Sequence, residues 1–400
     1  MRRSYKFLLR PTVGQQGALV AMLADHCDLY NAALQERRDA WRHSSKTTVR
    51  YGDQSAQLKG VRAVVPEQAR WSFSSQQATL RRLNKAFEAF FRRVKSGDTP
   101  GYPRFRSRAR FDTVEFPKDG DGCRWDSTPR AGATRVRLQG VGHVRVHQHR
   151  PVRGRVKTVS VKRQGRKWFV VLSCDDVPPE LLPATGREIG IDMGTTHFLT
   201  TTDGVLIENP RLLTKAAAEL VAAQRNLSQF PKQGKAKNRT KKHRQAVRRV
   251  AKLHAKIRRQ RLDHAHKTAN FVVRDADVIA HERLDIANMT RRPKRRPGED
   301  GTFEPNGAAA KAGLNRAILD AGWGVFLAVL TAKAECAGRR LIAVDPRNTS
   351  RTCPLCGHVS AQNRDGEGFK CTACGLIEHA DTVGALNTAI RAGLALCAAT

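Results

Sequence analysis

Three acidic residues of the chain occur within or beside apolar segments, where a lone charge is costly. Asp192 lies inside the apolar run 189–194, Glu282 follows the apolar run 278–280, and Asp381 opens the last amphipathic segment. An isolated buried charge costs several kcal/mol unless it is paired or bound to a metal. Each acid taken singly is equally well explained as a surface carboxylate near a strand end.

The three acids together indicate a metal site. If their strands belong to one mixed sheet, the carboxylates meet at one edge and offer oxygen ligands to hard cations such as magnesium. Two such ions, held about 4 Å apart, activate a water molecule and stabilise the leaving oxygen of a phosphate ester. The pattern therefore predicts phosphodiester hydrolysis.

Four cysteines near the end of the chain have metal-ligand spacing. They form two Cys-x-x-Cys pairs separated by 14 residues, each pair followed by a glycine, at Cys353, Cys356, Cys371 and Cys374. Four soft thiolates without an open position are typical of a structural zinc site. An iron–sulfur cluster or four ordinary cysteines are the alternatives. The remaining five cysteines are scattered, which fits a reducing compartment. We expect a cytoplasmic prokaryotic protein, associated with the nucleoid when it is bound to DNA.

The charge of the chain indicates a polyanionic partner. Among 400 residues, 72 Lys and Arg stand against 36 Asp and Glu, a formal net charge of +36. Such a balance is self-repulsive unless it is neutralised, and nucleic acid is the obvious partner. We expect no membrane partner, because we find no apolar run near the roughly 20 residues of a spanning helix. The N-terminus does not resemble a secretory signal.

Two basic segments are candidate nucleic-acid contacts. Residues 235–267 carry 14 Lys or Arg and one acid, whereas a solvated helix normally mixes charge signs. Residues 87–111 interleave arginines with aromatics, which either stack on bases or fill a core. The predicted contacts are Arg92, Arg93, Tyr102, Arg104, Arg106, Lys241, Lys242, Arg248, Arg249, Arg258 and Arg259.

Hydrophobic periodicity divides the chain near residues 178–183. In the first half we predict a strand at 5–9, two helices around 19–34 and 74–94, and short strands from 113 to 174. This order suggests a small basic barrel with inserted helices. In the second half we predict strands near 189–194, 278–282 and 341–344, a hairpin with its turn at Asp203-Gly204, a polar helix pair over 212–273, and helices at 314–337 and 380–395. Residues 291–307 are predicted to be a mobile loop.

Motifs along nearly the whole chain resemble one family. The stretches YKFLLRPT, KAFEAFFRRVKSGDTPGYPRF, GIDMGTTHFLTTTDG, RLDHAHK, HERLDIANM, GLNRAILDAGWG, TSRTCPLCGH and CTACGLIEHAD occur in family order. They resemble the transposon-encoded TnpB proteins, which are relatives of the compact type V CRISPR effectors. The resemblance implies an RNA-guided DNA endonuclease that binds a guide RNA and a target double-stranded DNA. Its specificity would come from guide pairing and from a short flanking duplex motif.

The resemblance also implies a multi-domain α/β fold. It comprises an RNase H-like (RuvC) mixed-sheet domain with an inserted zinc ribbon, and an N-terminal β-barrel wedge domain with an inserted helical recognition domain. The implied boundaries are 1–14 and 98–180 for the wedge, 15–97 for the recognition domain, 181–346 and 380–400 for the RuvC-like domain, and 347–379 for the zinc ribbon. The nuclease acids, which would hold two magnesium ions, fall on Asp192, Glu282 and Asp381.

The sequence departs from the family pattern at two places. Arg283 follows Glu282, where the family has an acid or asparagine, and Val383-Gly384 replaces Asn-Ala in the family motif D-x-N-A-A, although Asn387 is retained. A guided DNA-binding protein with weak or absent cleavage, acting as a repressor or interference effector, is therefore the alternative function. A structure-selective resolvase is a third reading, but it needs no long basic N-terminal half. The oligomeric state, monomer or homodimer on RNA, stays open.

Overall fold

The chain folds into two compact units. In the computed structural model, residues 1–129, 132–231, 240–298 and 302–394 are described. The units are Met1–Pro178 and Pro179–Thr400.

The first unit is built on a seven-stranded antiparallel sheet. Its strands are β1 (Arg3–Arg10), β2 (Thr113–Phe116), β3 (Cys123–Arg124), β4 (Arg135–Leu138), β5 (Gly142–His147), β6 (Arg155–Gln164) and β7 (Lys167–Asp175), in the order β2-β6-β7-β1-β5-β4-β3. Alternate residues of β1, namely Tyr5, Phe7 and Leu9, are buried, as expected for a strand with one face on a core. Among the described residues no backbone hydrogen bonds join the two outer strands, β2 and β3. The sheet of the predicted barrel is therefore open.

Four helices lie between β1 and β2. They are α1 (Val13–Arg42), α2 (Tyr51–Val64), α3 (Pro66–Ala69) and α4 (Phe73–Lys95). Thr12 begins α1 with a reciprocal cap, because its hydroxyl accepts from the Gln15 N–H while the Gln15 side chain accepts from the Thr12 N–H. The predicted helices at 19–34 and 74–94 are confirmed within α1 and α4. Helix α2 was not predicted, because only Gln54 and Leu58 of it are buried and it has little apolar periodicity.

The second unit contains a mixed five-stranded sheet and two smaller ones. Its strands are β8 (Glu188–Asp192), β9 (His197–Thr201), β10 (Leu206–Glu208), β11 (Val278–Glu282), β12 (Arg296–Pro297), β13 (Phe303–Glu304), β14 (Arg340–Val344), β15 (Arg364–Asp365), β16 (Gly368–Lys370) and β17 (Ile377–His379). The main sheet has the order β10-β9-β8-β11-β14, in which β8, β9 and β10 are antiparallel neighbours and β8, β11 and β14 are parallel. The predicted strands and the Asp203-Gly204 hairpin turn are confirmed.

The helices of this unit pack on the main sheet or on one another. They are α5 (Leu212–Lys215), α6 (Ala217–Ser228), α7 (Lys241–Asp275), α8 (Ile286–Met289), α9 (Ala308–Ala321), α10 (Trp323–Ala337) and α11 (Ala380–Arg391). Ile189, Ile191 and Ile279 share one core with residues of α7 and α10, such as Val272 and Phe326. The predicted end of the last helix, Ala395, lies outside the described residues.

Two expectations from the sequence need correction. Residues 291–307 are not without structure, because β12 and β13 pair as a short antiparallel hairpin within them. The stretch Ala308–Ala337 is long and apolar enough, by length and composition, to cross a membrane, and the sequence analysis overlooked it. In the fold it is divided at Gly322, whose φ of 76° ends α9, and Trp323, Phe326 and Leu330 are buried in the core of the unit.

Candidate active site and metal centre

Asp192 and Glu282 end two neighbouring parallel strands. The register pairs Ala280 with Gly190 and His281 with Ile191, so the next residues, Glu282 and Asp192, lie side by side at the carboxyl ends of β11 and β8. Because side chains alternate along a strand, Ile191 points into the apolar core while Asp192 lies on the opposite face. The sequence prediction of one shared edge holds for these two acids.

Helix α11 brings the third acid to the same face. A Cβ on Gly190 would lie 2.2 Å from the Ala385 carbonyl oxygen, so only glycine allows this close approach of helix and strand. A Cβ on Gly384, one turn after Asp381, would lie 3.0 Å from Asp192 Cγ. A Cβ on Gly194 would lie 3.5 Å from Asp381 Oδ2. The predicted trio is therefore brought together in space.

The environment of the acid cluster opposes its ionisation. Burial, together with the charges of Glu282 and Asp381, raises the pKa of Asp192 to about 8. Burial also raises the pKa of Glu282, although a hydrogen bond from Thr349 and the positive charges of Arg391 and Arg364 partly lower it. Acids that repel one another in a partly dry site are stabilised by a shared cation. The carboxylate oxygens of these acids are ligands that suit magnesium.

A hydrogen-bond chain fixes Glu282. The Thr349 hydroxyl donates to Glu282 Oε1. Asn387, buried on α11, donates from its amide to the carbonyl oxygens of Thr349 and Thr352, each at 2.7 Å. Asn387 thus connects the helix that carries Asp381 to the segment that orients Glu282. The sequence analysis noted Asn387 but missed Thr349, which lies 67 residues from Glu282 in the chain.

Basic and imidazole groups surround Asp381. Arg364, on β15, places a guanidinium nitrogen 3.7 Å from Asp381 Oδ1, and His197 Nδ1 lies 3.5 Å from Asp381 Oδ2. His379 caps α11, since its Nδ1 accepts from the Asp381 N–H at 3.2 Å. Arg364 and His197 were not predicted from the sequence, because nothing in the local spacing connects them to the acids.

The four cysteines are preassembled. Their sulfurs all lie within 4.8 Å of one another, and the pairs Cys353–Cys374 and Cys356–Cys371 are 3.6 Å apart. A tetrahedral zinc with bonds of about 2.3 Å needs sulfurs about 3.8 Å apart, so the cluster fits zinc. The Cys374 N–H donates to Cys371 and lowers the pKa of that thiol to about 6, whereas burial and the neighbouring thiols raise the pKa of Cys374 to about 12. A thiolate is the form that binds metal.

Buried Asn363 joins the two halves of the cysteine cluster. Its amide donates to the carbonyl oxygens of Arg351 and His358, and its Oδ1 accepts from the backbone N–H and hydroxyl of Thr372. All of its hydrogen-bonding atoms are therefore used inside the fold. Asn363 was not predicted from the sequence, because the mostly polar segment 360–370 resembles an ordinary loop.

Comparison with known proteins agrees with this arrangement. A family model described as "Probable transposase" matches residues 169–292, the range that contains Asp192 and Glu282. A second, described as "Cas12f1-like, TNB domain", matches residues 323–388, the range that contains the four cysteines and Asp381.

Two curated proteins match the chain from end to end. The "Putative RNA-guided DNA endonuclease InsQ" of Escherichia coli (strain K12) is 29% identical over 99% of this chain and 93% of its own length. The "Putative RNA-guided DNA endonuclease" of Streptomyces pristinaespiralis is 30% identical over 100% of this chain and 91% of its own. The chain belongs to the TnpB family. The TnpB family is the one that the sequence motifs predicted.

A solved structure shares the fold. The "mini-RNA-guided endonuclease CRISPR-Cas_phi3" aligns over 98% of this chain and 92% of that chain with a TM-score of 0.50. At 12% identity the likeness concerns the fold alone. It supports a multi-domain α/β architecture for this TnpB-family chain.

The two departures from the TnpB pattern lie outside the acid cluster. Val383 is fully buried and packs in a small core with Phe369 and the cysteines Cys353 and Cys371. It thus stabilises the junction between α11 and the cysteine cluster. The Arg283 side chain is exposed, while its N–H donates to the Val344 carbonyl oxygen. Neither departure removes a carboxylate.

The predicted nucleic-acid contacts are exposed in both units. In the first unit Tyr102 is exposed, as are four arginines, Arg92, Arg93, Arg104 and Arg106. In the second, α7 buries Leu253 and Ile257 and exposes its predicted basic contacts, Lys241, Lys242, Arg248, Arg249, Arg258 and Arg259. Residues 235–239 of the basic segment lie outside the described residues. Exposure leaves these charges accessible to phosphate, as the prediction requires.

Proposed function

We propose that the chain is an RNA-guided DNA endonuclease that hydrolyses phosphodiester bonds at the cluster of Asp192, Glu282 and Asp381. The observation that carries the proposal is the convergence of three carboxylates from β8, β11 and α11. Full-length relatives named as RNA-guided DNA endonucleases support the same activity.

The residues of the cluster have complementary roles in this proposal. Asp192 and Glu282 would hold cations from rigid strand ends, and Asp381 would hold them from the first turn of α11. Two bound magnesium ions would supply an activated water and charge stabilisation at the leaving oxygen. Asp192 would have to be ionised to act as a ligand, because a coordinating carboxylate carries no proton. Thr349 keeps Glu282 oriented, and the Arg364 guanidinium offers a positive charge to the phosphate.

The main sheet supports an RNase H-like assignment for 181–346 and 380–400. An antiparallel trio, β10-β9-β8, is extended by the parallel strands β11 and β14. The four cysteines would hold a structural zinc ion, and 347–379 would be a zinc ribbon that contacts the target strand. In the first unit, 1–14 and 98–180 would be the wedge domain and 15–97 the recognition domain, which grip the guide RNA and the flanking motif.

The net charge of +36 supports two nucleic-acid partners, a guide RNA and a target duplex. The exposed basic residues of α7 and of segment 92–106 would contact backbone phosphates. Such contacts fix position without reading sequence, which the guide supplies by base pairing.

A plasmid assay tests the proposal. The protein is purified with co-expressed RNA, the bound RNA is sequenced, and the complex is incubated with guide-matched plasmid and magnesium. We expect linear plasmid from the wild type and none from Asp192→Ala. Asp263→Asn, a substitution of an exposed carboxylate outside the cluster, is the matched control and should cleave normally.

Three other results would contradict this proposal. Stable binding of guide-matched plasmid that stays uncut would favour the guided DNA-binding protein, which the Val383 and Arg283 departures leave open. Recovery of no discrete RNA would contradict both guided functions. Cleavage by Asp192→Ala at the wild-type rate would place the chemistry elsewhere.

A further inference from the structure

A cavity of about 440 Å³ lies in the first unit, between the end of α1 and the segment 102–105. Its size falls within the range of pockets for small organic ligands. Three aromatic rings, Trp41, Tyr102 and Phe105, line it, and their residues are 60%, 44% and 45% exposed. Large aromatic side chains usually contribute to cores or interfaces, so three partly exposed rings around one cavity require an explanation.

The wall formed by residues 102–105 is held in place by contacts within the first unit. The Tyr102 ring packs edge-to-face on Phe87 and Phe90, with centroid separations of 5.6 and 5.4 Å. The following segment is tied to α1, because the Asn31 amide donates to the Arg106 carbonyl oxygen and the Arg106 N–H donates to Asn31 Oδ1, both at 2.8 Å. A preformed site loses little conformational entropy on binding.

The charge around the cavity has one sign. Its described lining includes Arg38, Arg42 and Arg104 and no acidic residue. The Arg38 guanidinium lies 5.9 Å from the centre of the Phe105 ring, so cationic and aromatic surfaces are adjacent. Aromatic faces beside arginines bind a planar base and its flanking phosphates, and they do so without sequence readout.

We propose that this cavity binds one unpaired base of a nucleic-acid strand, stacked on Trp41 or Phe105, with Arg38, Arg42 and Arg104 on the neighbouring phosphates. The ligand is unpaired because both faces of a base inside a duplex are covered by its neighbours. This site is separate from the acid cluster and does not depend on cleavage. It rests on the nucleic-acid binding proposed for the first unit, and it gives the aromatics of residues 87–111, for which base stacking or core packing was left open, a base to stack on.

Oligonucleotide binding to the full-length protein tests the site. The probes are fluorescent oligo(dT) and oligo(U) of about ten nucleotides, and an abasic strand of equal length and charge. We expect Trp41→Ala to weaken binding of both base-carrying strands about ten-fold and to leave the abasic strand unchanged. Trp41→Phe should retain most of the affinity. Phe73→Ala, which removes an exposed ring outside the cavity, is the matched control.

A second measurement locates the base directly. Oligo(U) and oligo(dT) carrying 5-iodouracil are photo-crosslinked to the wild type, and the linked peptides are identified by mass spectrometry. Crosslinks to residue 41 or to residues 102–105 support the proposal. If both oligonucleotides crosslink there, the site accepts any unpaired nucleotide. If only oligo(U) crosslinks there, the site is specific for RNA. Equal weakening of the abasic and base-carrying strands by Trp41→Ala, or crosslinks only outside the cavity, would overturn it. Phe105→Ala repeats the test from the opposite wall.

Discussion

The Asp192→Asn substitution should stabilise the magnesium-free protein while abolishing cleavage. The carboxyl group of Asp192 has a pKa of about 8 in the folded chain, against 3.8 for an ordinary aspartate. Between these values the folded state keeps a proton that the unfolded state has released. Stability therefore falls as the pH rises from about 3.8 to about 8. An asparagine has no proton to lose and escapes this penalty.

The size of the effect follows from the shift. Each unit of pKa difference corresponds to about 1.4 kcal/mol, so at neutral pH the penalty reaches a ceiling of about 4 kcal/mol. Asp192 retains some exposed surface, and solvent screening keeps the effect below that ceiling. Near pH 4 the two proteins should be equally stable. Bound magnesium should narrow the difference, since a cation at about one hundred times its dissociation constant adds about 2.7 kcal/mol to the wild type alone.

Native-state hydrogen exchange measures the effect where it acts. The opening free energy of Ala380–Arg391, read from its amide protection by mass spectrometry, is compared between wild type and variant from about pH 5 to about pH 8, with and without magnesium. Magnesium-free buffer is used instead of a strong chelator, so that metal on the cysteine cluster is kept. Asp263→Asn, the same substitution at an exposed site, should show no difference.

Two results would refute this reasoning. If the variant is no more protected than the wild type at neutral pH without magnesium, the carboxyl group is not held neutral by its surroundings. If magnesium protects both proteins equally, Asp192 is not a ligand of the cation.

Three further predictions concern stability and the site. His26 is fully buried, and burial lowers its pKa to about 4. The free energy of unfolding of the first unit should therefore fall by about 3 kcal/mol as the pH falls from about 6.5 to about 4. His26→Gln should lack this loss in urea unfolding followed by circular dichroism. Arg261→Ala leaves the carboxylate of buried Asp320 without its guanidinium partner, which lies at 2.8 Å, and should cost about 3–5 kcal/mol in urea unfolding. Gly190→Ala places a Cβ 2.2 Å from the Ala385 carbonyl oxygen, so α11 must shift away from β8; the substitution should cost about 1–3 kcal/mol and slow plasmid cleavage.

Each of these predictions has a control. His43→Gln, at an exposed histidine, should keep the acid-dependent loss; the same loss in His26→Gln would contradict the first prediction. Arg261→Lys should be less destabilising than Arg261→Ala, and an equal cost would show that charge is irrelevant. Gly313→Ala, on α9 with open space around the new Cβ, should be neutral or stabilising and should leave cleavage unchanged. Normal cleavage by Gly190→Ala would show that Asp381 tolerates a displacement of α11.

The chemical groups of the two candidate centres were predictable from the sequence. Asp192 and Glu282 are conspicuous because each interrupts or ends an apolar strand, where a charge is costly. The four cysteines are conspicuous because a two-residue spacing places both thiolates of a pair on one turn. These signals are short-range, since they depend only on residues within a few positions of each other.

The partners of those groups depend on the tertiary structure. Thr349 reaches Glu282, Arg364 reaches Asp381, and Asn363 joins the two cysteine pairs, although no spacing in the chain predicts these contacts. Helix α2 and the open edges of the first sheet were also decided by packing, which overrides weak local propensity.

The sequence by itself determined the candidate acids and thiols and most of the strands and helices that hold them. Only the tertiary structure decided that β8 and β11 are in the register that aligns Asp192 with Glu282, and that Gly190 lets α11 approach closely enough to add Asp381. The physical reason is that periodicity and spacing act within one element, whereas register and close approach depend on the packing of residues that are far apart in the chain.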